Sequence, residues 1–274
     1  MKKVKDILNS DLSDLRKMEK LFLAYFESPE SQRGEFKAVI EKAADELAFD
    51  TIPASWLSYP DGSWEFRFAN KHKSTTNWRF IEGGDFPKVA GKEDIVVEPY
   101  IVHKYTVTQD EYQKVMGINP SHYGDRPQAP VESVSFYDAC CFCNMQAMLM
   151  GESPSYFFQL DADGDEIEPL LSYDGERTIY AIIENSEAGF GPKLPTEVQW
   201  EYMCRAGTTT DTYNGDLPSD EVKAHKVLDK IAWYNNNTQH DRRPQVVGQK
   251  MPNSYDIYDT IGNVWEWTST PYED

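Results

Sequence analysis

Residues 255–268, YDIYDTIGNVWEWT, place a Gly-Asn turn directly before two tryptophans that flank a glutamate. Gly262 permits a left-handed backbone that residues with a side chain disfavour. Asn263 tolerates the same conformation and readily hydrogen-bonds its own backbone. The stretch therefore predicts a tight turn that leads into an aromatic segment.

This aromatic segment sets a carboxylate between two rings. Trp265 and Trp267 alternate with Glu266 as neighbouring residues of a strand do, and we expect the two rings to pin the turn in place. A turn that presents a carboxylate and several carbonyl oxygens suits a hard cation such as Ca²⁺, which prefers oxygen ligands. Alternatively, Glu266 caps a nearby backbone or pairs with a basic residue.

The composition predicts a folded and acidic protein. Hydrophobic residues make up 40% and aromatic residues 13% of the 274 residues, which argues against wholesale disorder. The formal net charge of −19 repels phosphate backbones and anionic lipids, so neither nucleic acid nor a membrane surface is an expected partner. A protein or a small molecule is expected instead. Cations, basic peptides and neutral ligands all remain possible partners. The simplest role of the charge is solubility.

The sequence gives an expectation for location. The first twenty residues include basic side chains but lack the apolar segment of a secretory signal. No stretch approaches the ~20 apolar residues that a membrane span needs. We therefore expect a cytoplasmic protein; the mature form of an exported protein would show the same features and is the alternative.

Three of the four cysteines crowd into one short segment, ACCFCN. A disulfide framework would spread its cysteines along the chain, and a zinc site would need a second pair of ligands. We expect Cys140, Cys141, Cys143 and Cys204 to be small buried hydrophobic residues.

The chain divides into three parts that differ in their predicted secondary structure. Residues 1–50 are predicted to be helical, with Ser13 as a cap and Pro29 as the end of the first of two helices. Residues 51–76 read as a β-hairpin around Pro60 followed by a polar connector. Residues 77–274 read as a larger region of short strands, turns and a few helices.

Three helices in the larger region carry clear signals. Thr108 and Glu111 form the pattern of a capping box, and Gly117 ends that helix. A second helix is predicted over the segment SVSFYDACCFCNMQAMLMG, with Phe136 and Cys143 among its inward residues and Gly151 as its end. Thr196 caps the third helix, and the segment Asn214 to His225 that comes later is expected to be a loop.

Several motifs, in order, closely resemble the formylglycine-generating enzyme family, also called the sulfatase-modifying-factor domain. The resemblance runs from about Trp78 to Thr268. It implies an α+β, irregular, C-type-lectin-like fold with little regular secondary structure. Its motifs are WRFIEGGDF, PYIVHKYTVTQDEYQKVMG, NPSHY, RPQAPVESVSFYDACCFCN, LPTEVQWEYMCRAG, AWYNNNTQ and VGQKMPNSYDIYDTIGNVWEW.

The resemblance also implies a structural Ca²⁺ at the aromatic segment. Its ligands would come from the stretch between Asn263 and Glu266, with Asn263, Val264 and Glu266 as the candidate metal residues. We expect no further cofactor-binding residues, and the loops that would select a ligand contain no motif that identifies it.

The catalytic members of this family use two copper-binding cysteines that follow the Trp-Glu-Trp motif. The printed sequence has no cysteine after Cys204 and ends seven residues after Trp267. Copper is therefore not expected, because the soft thiolates that Cu(I) prefers are lacking. We expect a non-catalytic binding or interaction protein on this scaffold. The alternative is a truncated formylglycine-generating oxidase that converts a sulfatase cysteine to formylglycine.

Overall fold

The structure is a computed structural model that describes residues 2–10, 56–58, 78–87, 95–149, 153–186, 192–238 and 242–271. Both helices predicted within the first fifty residues, and the turn at Pro60, lie outside these ranges. The short helix α1, Lys2–Leu8, lies within the region predicted to be helical and precedes the two helices named there. Among the described residues, no helix has the length and apolar character needed to cross a membrane.

The central sheet has four antiparallel strands. In spatial order they are β2 (Trp78–Ile81), β5 (Tyr100–His103), β1 (Trp56–Ser58) and β9 (Pro192–Lys193). Strand β5 pairs with β2 so that His103 lies opposite Trp78. Strand β1 lies between β5 and β9, so a piece of the predicted hairpin region joins this sheet.

Two smaller sheets complete the described β-structure. Strands β3 (Gly84–Asp85) and β4 (Val96–Val97) pair with each other. Strand β6 (Tyr156–Gln159) lies between β7 (Ile167–Glu168) and β8 (Ala181–Glu184). The short strands and many turns confirm the predicted α+β class.

The helix signals of the sequence are confirmed. Helix α2 (Gln109–Met116) has the Thr108–Glu111 capping box and a left-handed Gly117 at its end. Helix α4 (Glu197–Arg205) has the same type of box, formed by Thr196 and Gln199. In each case two backbone donors at the helix start gain an acceptor.

Helix α3 (Phe136–Leu149) is the most deeply buried helix with a described range. Cys140, Cys141 and Cys143 are all buried, which confirms their predicted role as small core residues. The buried Asn144 donates to the carbonyls of Tyr156 and Leu170, at 2.8 and 2.9 Å. This polar anchor fixes α3 against β6, and the apolar pattern did not reveal it.

One loop prediction is wrong. The segment Asn214 to His225 contains the start of helix α5, Glu221–Ile231. The carboxylate of Asp220 accepts from the backbone N–H of Lys223 and caps this helix. The helix is mostly exposed, but Ala224, Val227, Leu228 and Ile231 follow helical spacing after the Asp220 cap, so the loop prediction overlooked a signal that the sequence contains.

Candidate functional site

The Gly-Asn turn is held between two other segments of the chain. Gly262 has φ 83°, and a Cβ added there would lie 2.3 Å from the carbonyl oxygen of Trp233. Asn263 has φ 62° and donates its backbone N–H to that same carbonyl, at 2.8 Å. These contacts confirm the predicted turn and explain why glycine is needed.

The side chain of Asn263 is bonded to one partner through both of its polar atoms. Its Oδ1 accepts from the backbone N–H of Gln245 at 2.9 Å, and its Nδ2 donates to the carbonyl of Gln245 at 3.1 Å. The turn is therefore clamped between Trp233 and Gln245. Nothing in the sequence pattern singled out Gln245, which is 18 residues away.

The two tryptophans after the turn do different things. Trp267 donates its indole N–H to the carbonyl of Val134 at 2.9 Å and packs edge-on against Phe136. Trp265 is 102% exposed relative to its reference surface. The expectation that both rings pin the turn is therefore wrong for Trp265, because its ring extends into solvent.

Glu266 lies between these two tryptophans in the sequence, and its side chain points toward helix α4 in the protein interior. Its Oε2 accepts the indole N–H of Trp200, on helix α4, at 3.0 Å. Burial of the carboxyl raises its pKa to about 7, the indole hydrogen bond lowers it, and nearby Asp259 raises it further. Neither a backbone cap nor an ion pair is recorded for Glu266 among the described residues, so the partner is one that sequence reasoning did not consider.

Behind Glu266 lies a small group of buried polar atoms that lack partners. Asp259 is 2% exposed, and its Oδ2 accepts from the N–H of Gly248 at 2.7 Å. Three further atoms have no hydrogen-bond partner within the described residues: Asp259 Oδ1, Thr260 Oγ1 and Trp233 Nε1. Burial raises the pKa of Asp259. Unsatisfied buried polar atoms are costly, which makes this region a natural place for a ligand.

A cavity of about 820 Å³ opens beside this group. Residues from several distant segments line it, including strand β5, helices α2, α3 and α4, and the turn itself. Much of the wall is aromatic, and Glu266 is the wall's acidic group next to the tryptophans. The aromatic lining residues are Tyr105, Tyr112, Tyr123, Phe142, Trp233, Tyr234, Tyr258, Trp265 and Trp267.

The residues predicted to hold calcium lie on one turn but offer few free oxygens. Asn263 already uses its side-chain oxygen on Gln245, and Glu266 uses one of its two oxygens on Trp200. Ca²⁺ takes six to eight oxygen ligands. No group of three or more acidic, histidine or cysteine side chains suited to a metal occurs in the described part of the chain. The described donors therefore do not form a calcium cage by themselves.

The thiols are placed for packing rather than for chemistry. None of the four cysteines forms a disulfide, and three are buried on α3. Cys204, on α4, is only half-buried, so the prediction that it is a buried core residue is wrong. Burial raises the pKa of Cys140, Cys141 and Cys204, that of Cys141 to about 12. The thiolate is the reactive form, so these cysteines stay protonated near neutral pH.

The family of the chain follows from comparison with known proteins. The sulfatase-modifying factor enzyme 1-like domain matches residues 62–274, and the chain belongs to this family. The chain is 30% identical over 217 residues to the chaperone protein LppX of Paenibacillus barcinonensis, covering 70% of this chain and 71% of LppX. It is also 30% identical over 211 residues to the inactive C-alpha-formylglycine-generating enzyme 2 of Bos taurus, covering 71% and 69% of the two chains.

A solved structure supports the fold. The crystal structure of CarF superposes with a TM-score of 0.51 and 23% sequence identity, covering 72% of this chain and 81% of CarF. The match agrees with the family assignment and shows the fold alone. The family match and the sequence relatives confirm the resemblance that the motifs indicated.

Proposed function

We propose that this protein is a non-catalytic binding protein that holds a segment of a partner polypeptide in the aromatic cavity. The observation that carries the proposal is the cavity itself, whose wall ends in the fully exposed ring of Trp265. Concave, mostly apolar sites with a few polar groups are the usual form of binding sites. Exposed tryptophan is an effective anchor for binding because it buries a large area.

The relatives support a role without catalysis. One of the two relatives that match most of this chain is a chaperone protein, and the other is an inactive formylglycine-generating enzyme. The chaperone favours a polypeptide as the ligand. The buried, protonated thiols of this chain agree with such a role.

Calcium is a separate part of the proposal, and it comes from the family resemblance. The ion would sit at Asn263, Val264 and Glu266 and would need further oxygen ligands to complete its shell. Its contribution would be to stiffen the turn. Binding is not required for the cavity to act, since the turn is already clamped by Gln245 and Trp233.

The cavity proposal can be tested with the neutral fluorophore N-phenylnaphthylamine. We expect one site with increased fluorescence, because the probe enters an apolar environment. The substitution Ala139→Leu adds bulk to the cavity wall and should lower the affinity for the probe about tenfold, or ~1.4 kcal/mol. Ala224→Leu, on exposed helix α5 and away from the cavity, is the matched control and should leave the affinity unchanged.

Equal affinities of the two variants would reject the cavity as the binding site.

The absence of catalysis has its own test, in which the protein is mixed with copper and a peptide containing a sulfatase Cys-x-Pro-x-Arg motif. We expect the mass of the peptide to stay unchanged. Conversion of its cysteine to an aldehyde would favour the oxidase instead.

A further inference from the structure

The small sheet β7-β6-β8 has one covered face and one open face. Side chains that lie directly opposite on neighbouring strands point to the same side of a sheet, and successive side chains along a strand alternate. Tyr156, Phe158 and Ile182 share one face and pack in the core cluster that contains the cysteines of α3. The other side chains of β6 and β8 therefore point outward.

The outer face of this sheet is largely apolar and exposed. Phe157 lies opposite Ile183, and Gln159 lies opposite both Ala181 and Ile167, so these five side chains share the outer face. Ile183 is 42% exposed and Ile167 is 46% exposed. None of the five residues lines the aromatic cavity, so the outer face is a separate surface.

The chain that forms this sheet is strongly acidic. The segment 153–186 contains eight acidic residues against one basic residue, so its formal charge is −7 of the total of −19. The basic residue, Arg177, already pairs with Glu168 at 2.9 Å. The sheet therefore concentrates negative charge around its apolar surface.

Three carboxylates of the turn between β6 and β7 lie at one end of the outer face. Asp163, Asp165 and Glu166 are exposed, and no ion pair is recorded for them within the described part of the chain. Glu166 directly precedes Ile167, which places the turn beside the apolar surface. The carboxylate of Asp161 accepts from the backbone N–H groups of Asp165 and Glu166, at 3.2 and 3.0 Å, and so fixes the turn.

We propose that the outer face of sheet β7-β6-β8 docks a basic amphipathic segment of a partner polypeptide. Phe157, Ile167 and Ile183 contact the apolar side chains of this segment, and the carboxylates of the turn attract its lysine or arginine groups. Charge complementarity selects the occupant, because a positive patch meets a negative one. The inference goes beyond the proposed function, since it assigns a second binding surface away from the cavity.

Other occupants fit this surface less well. A second copy of the chain in a symmetric contact would bring the same acidic segment against itself, and like charges repel. An anionic lipid surface is repelled for the same reason. An apolar segment without basic groups gains nothing from the carboxylates of the turn.

The fluorescence anisotropy of two labelled peptides tests the proposal. One peptide repeats the sequence Lys-Leu-Ala-Lys-Leu-Ala-Lys twice, and the other has glutamate in place of each lysine. We expect the lysine peptide to bind about tenfold more tightly, with an affinity that falls as NaCl rises from about 50 to about 300 mM. Ile183→Ser should lower the affinity for the lysine peptide about tenfold, and Glu166→Gln about twofold.

Matched variants on helix α5 serve as controls. Val222 is 65% exposed and the side chain of Glu221 is 85% exposed, and both lie outside the sheet. Val222→Ser and Glu221→Gln should leave the affinity for the lysine peptide unchanged. Ile167→Ser, on the opposite edge strand of the sheet, is a second test of the outer face and should act in the same direction as Ile183→Ser.

Four outcomes would overturn the inference. The first is equal binding of the lysine and glutamate peptides. The second is equal affinities of Ile183→Ser and Val222→Ser, or of Glu166→Gln and Glu221→Gln, because the net charge alone would then attract the peptide. The third is a loss of affinity in Ala139→Leu alone, which would place the peptide in the cavity and support the proposed function instead. The fourth is a dimer in sedimentation velocity that Ile183→Ser dissociates, which would assign the face to a second copy.

Discussion

Gly262 and Asn263 show how two residues fix the position of a whole binding wall. The left-handed backbone of this pair directs the chain so that Glu266 enters the protein and Trp265 leaves it. The turn type was readable from the Gly-Asn dipeptide, because its cause is local steric freedom. The partner of each following side chain was not readable, since it lies elsewhere in the chain.

At this scale, we expect Gly262→Ala to lower the free energy of unfolding by about 2–4 kcal/mol. A left-handed alanine costs about 1–2 kcal/mol, and the clash of its Cβ with the Trp233 carbonyl adds a similar amount. Urea denaturation measures the change. Gly207→Ala is the control: Gly207 also has a positive φ, of 86°, but nothing lies within 4 Å of an added Cβ.

A loss at Gly262 no greater than that at Gly207 would mean that the Trp233 contact relaxes freely. The turn would then not be a rigid support for the cavity wall. The comparison isolates the steric contact, because both glycines share the same backbone cost.

Helix α4 carries the partner of Glu266 and starts with a capping box. Thr196 and Gln199 satisfy each other's backbone donors at the start of this helix. One turn further on, Trp200 donates to the carboxylate in the cavity wall. The sequence predicted this helix and its cap because both depend on residues within four positions. Helix α5 has an equally local cap, Asp220, and a regular apolar spacing, which the loop prediction overlooked.

We therefore expect Thr196→Ala to lower the free energy of unfolding by about 1 kcal/mol, the usual value for loss of an N-cap. Thr196→Ser keeps the hydroxyl, so its free energy of unfolding should be close to that of the original protein. Thermal unfolding of the two variants gives the comparison. A Ser variant as unstable as the Ala variant would show that the methyl group of threonine, not its oxygen, matters here.

At the scale of the molecule, an ion pair joins two segments that lie far apart in the sequence. Arg79 on strand β2 pairs with Asp256, which lies 177 positions later and just before the turn that forms the cavity wall. The Arg79 side chain is 6% exposed. The pair couples the central sheet to the aromatic segment. Loss of this ion pair should therefore also disturb the cavity wall.

For this pair, we expect Asp256→Asn to cost about 3–5 kcal/mol, because it leaves a buried guanidinium without its carboxylate. Asparagine tolerates the left-handed backbone of this position, φ 59°, so the charge is the main change. Glu168→Gln breaks the exposed pair with Arg177 and should cost about 1 kcal/mol or less.

Chemical denaturation of Asp256→Asn and Glu168→Gln provides the measurement. Similar losses in the two variants would mean that the Arg79 pair is as weak as a surface pair. A large loss for Asp256→Asn together with weaker probe binding would show that the sheet supports the cavity.

The sequence by itself determined the family, the α+β class, the capped helices α2 and α4, the burial of the cysteines on α3, and the Gly-Asn turn. These features depend on residue type and on contacts between near neighbours, so a linear pattern contains them. Only the tertiary structure decided that Trp265 faces solvent, that Gln245 holds Asn263, and that Trp200 binds Glu266 across 66 positions. The cavity belongs to this second group, because its walls come from segments that meet only when the chain is folded.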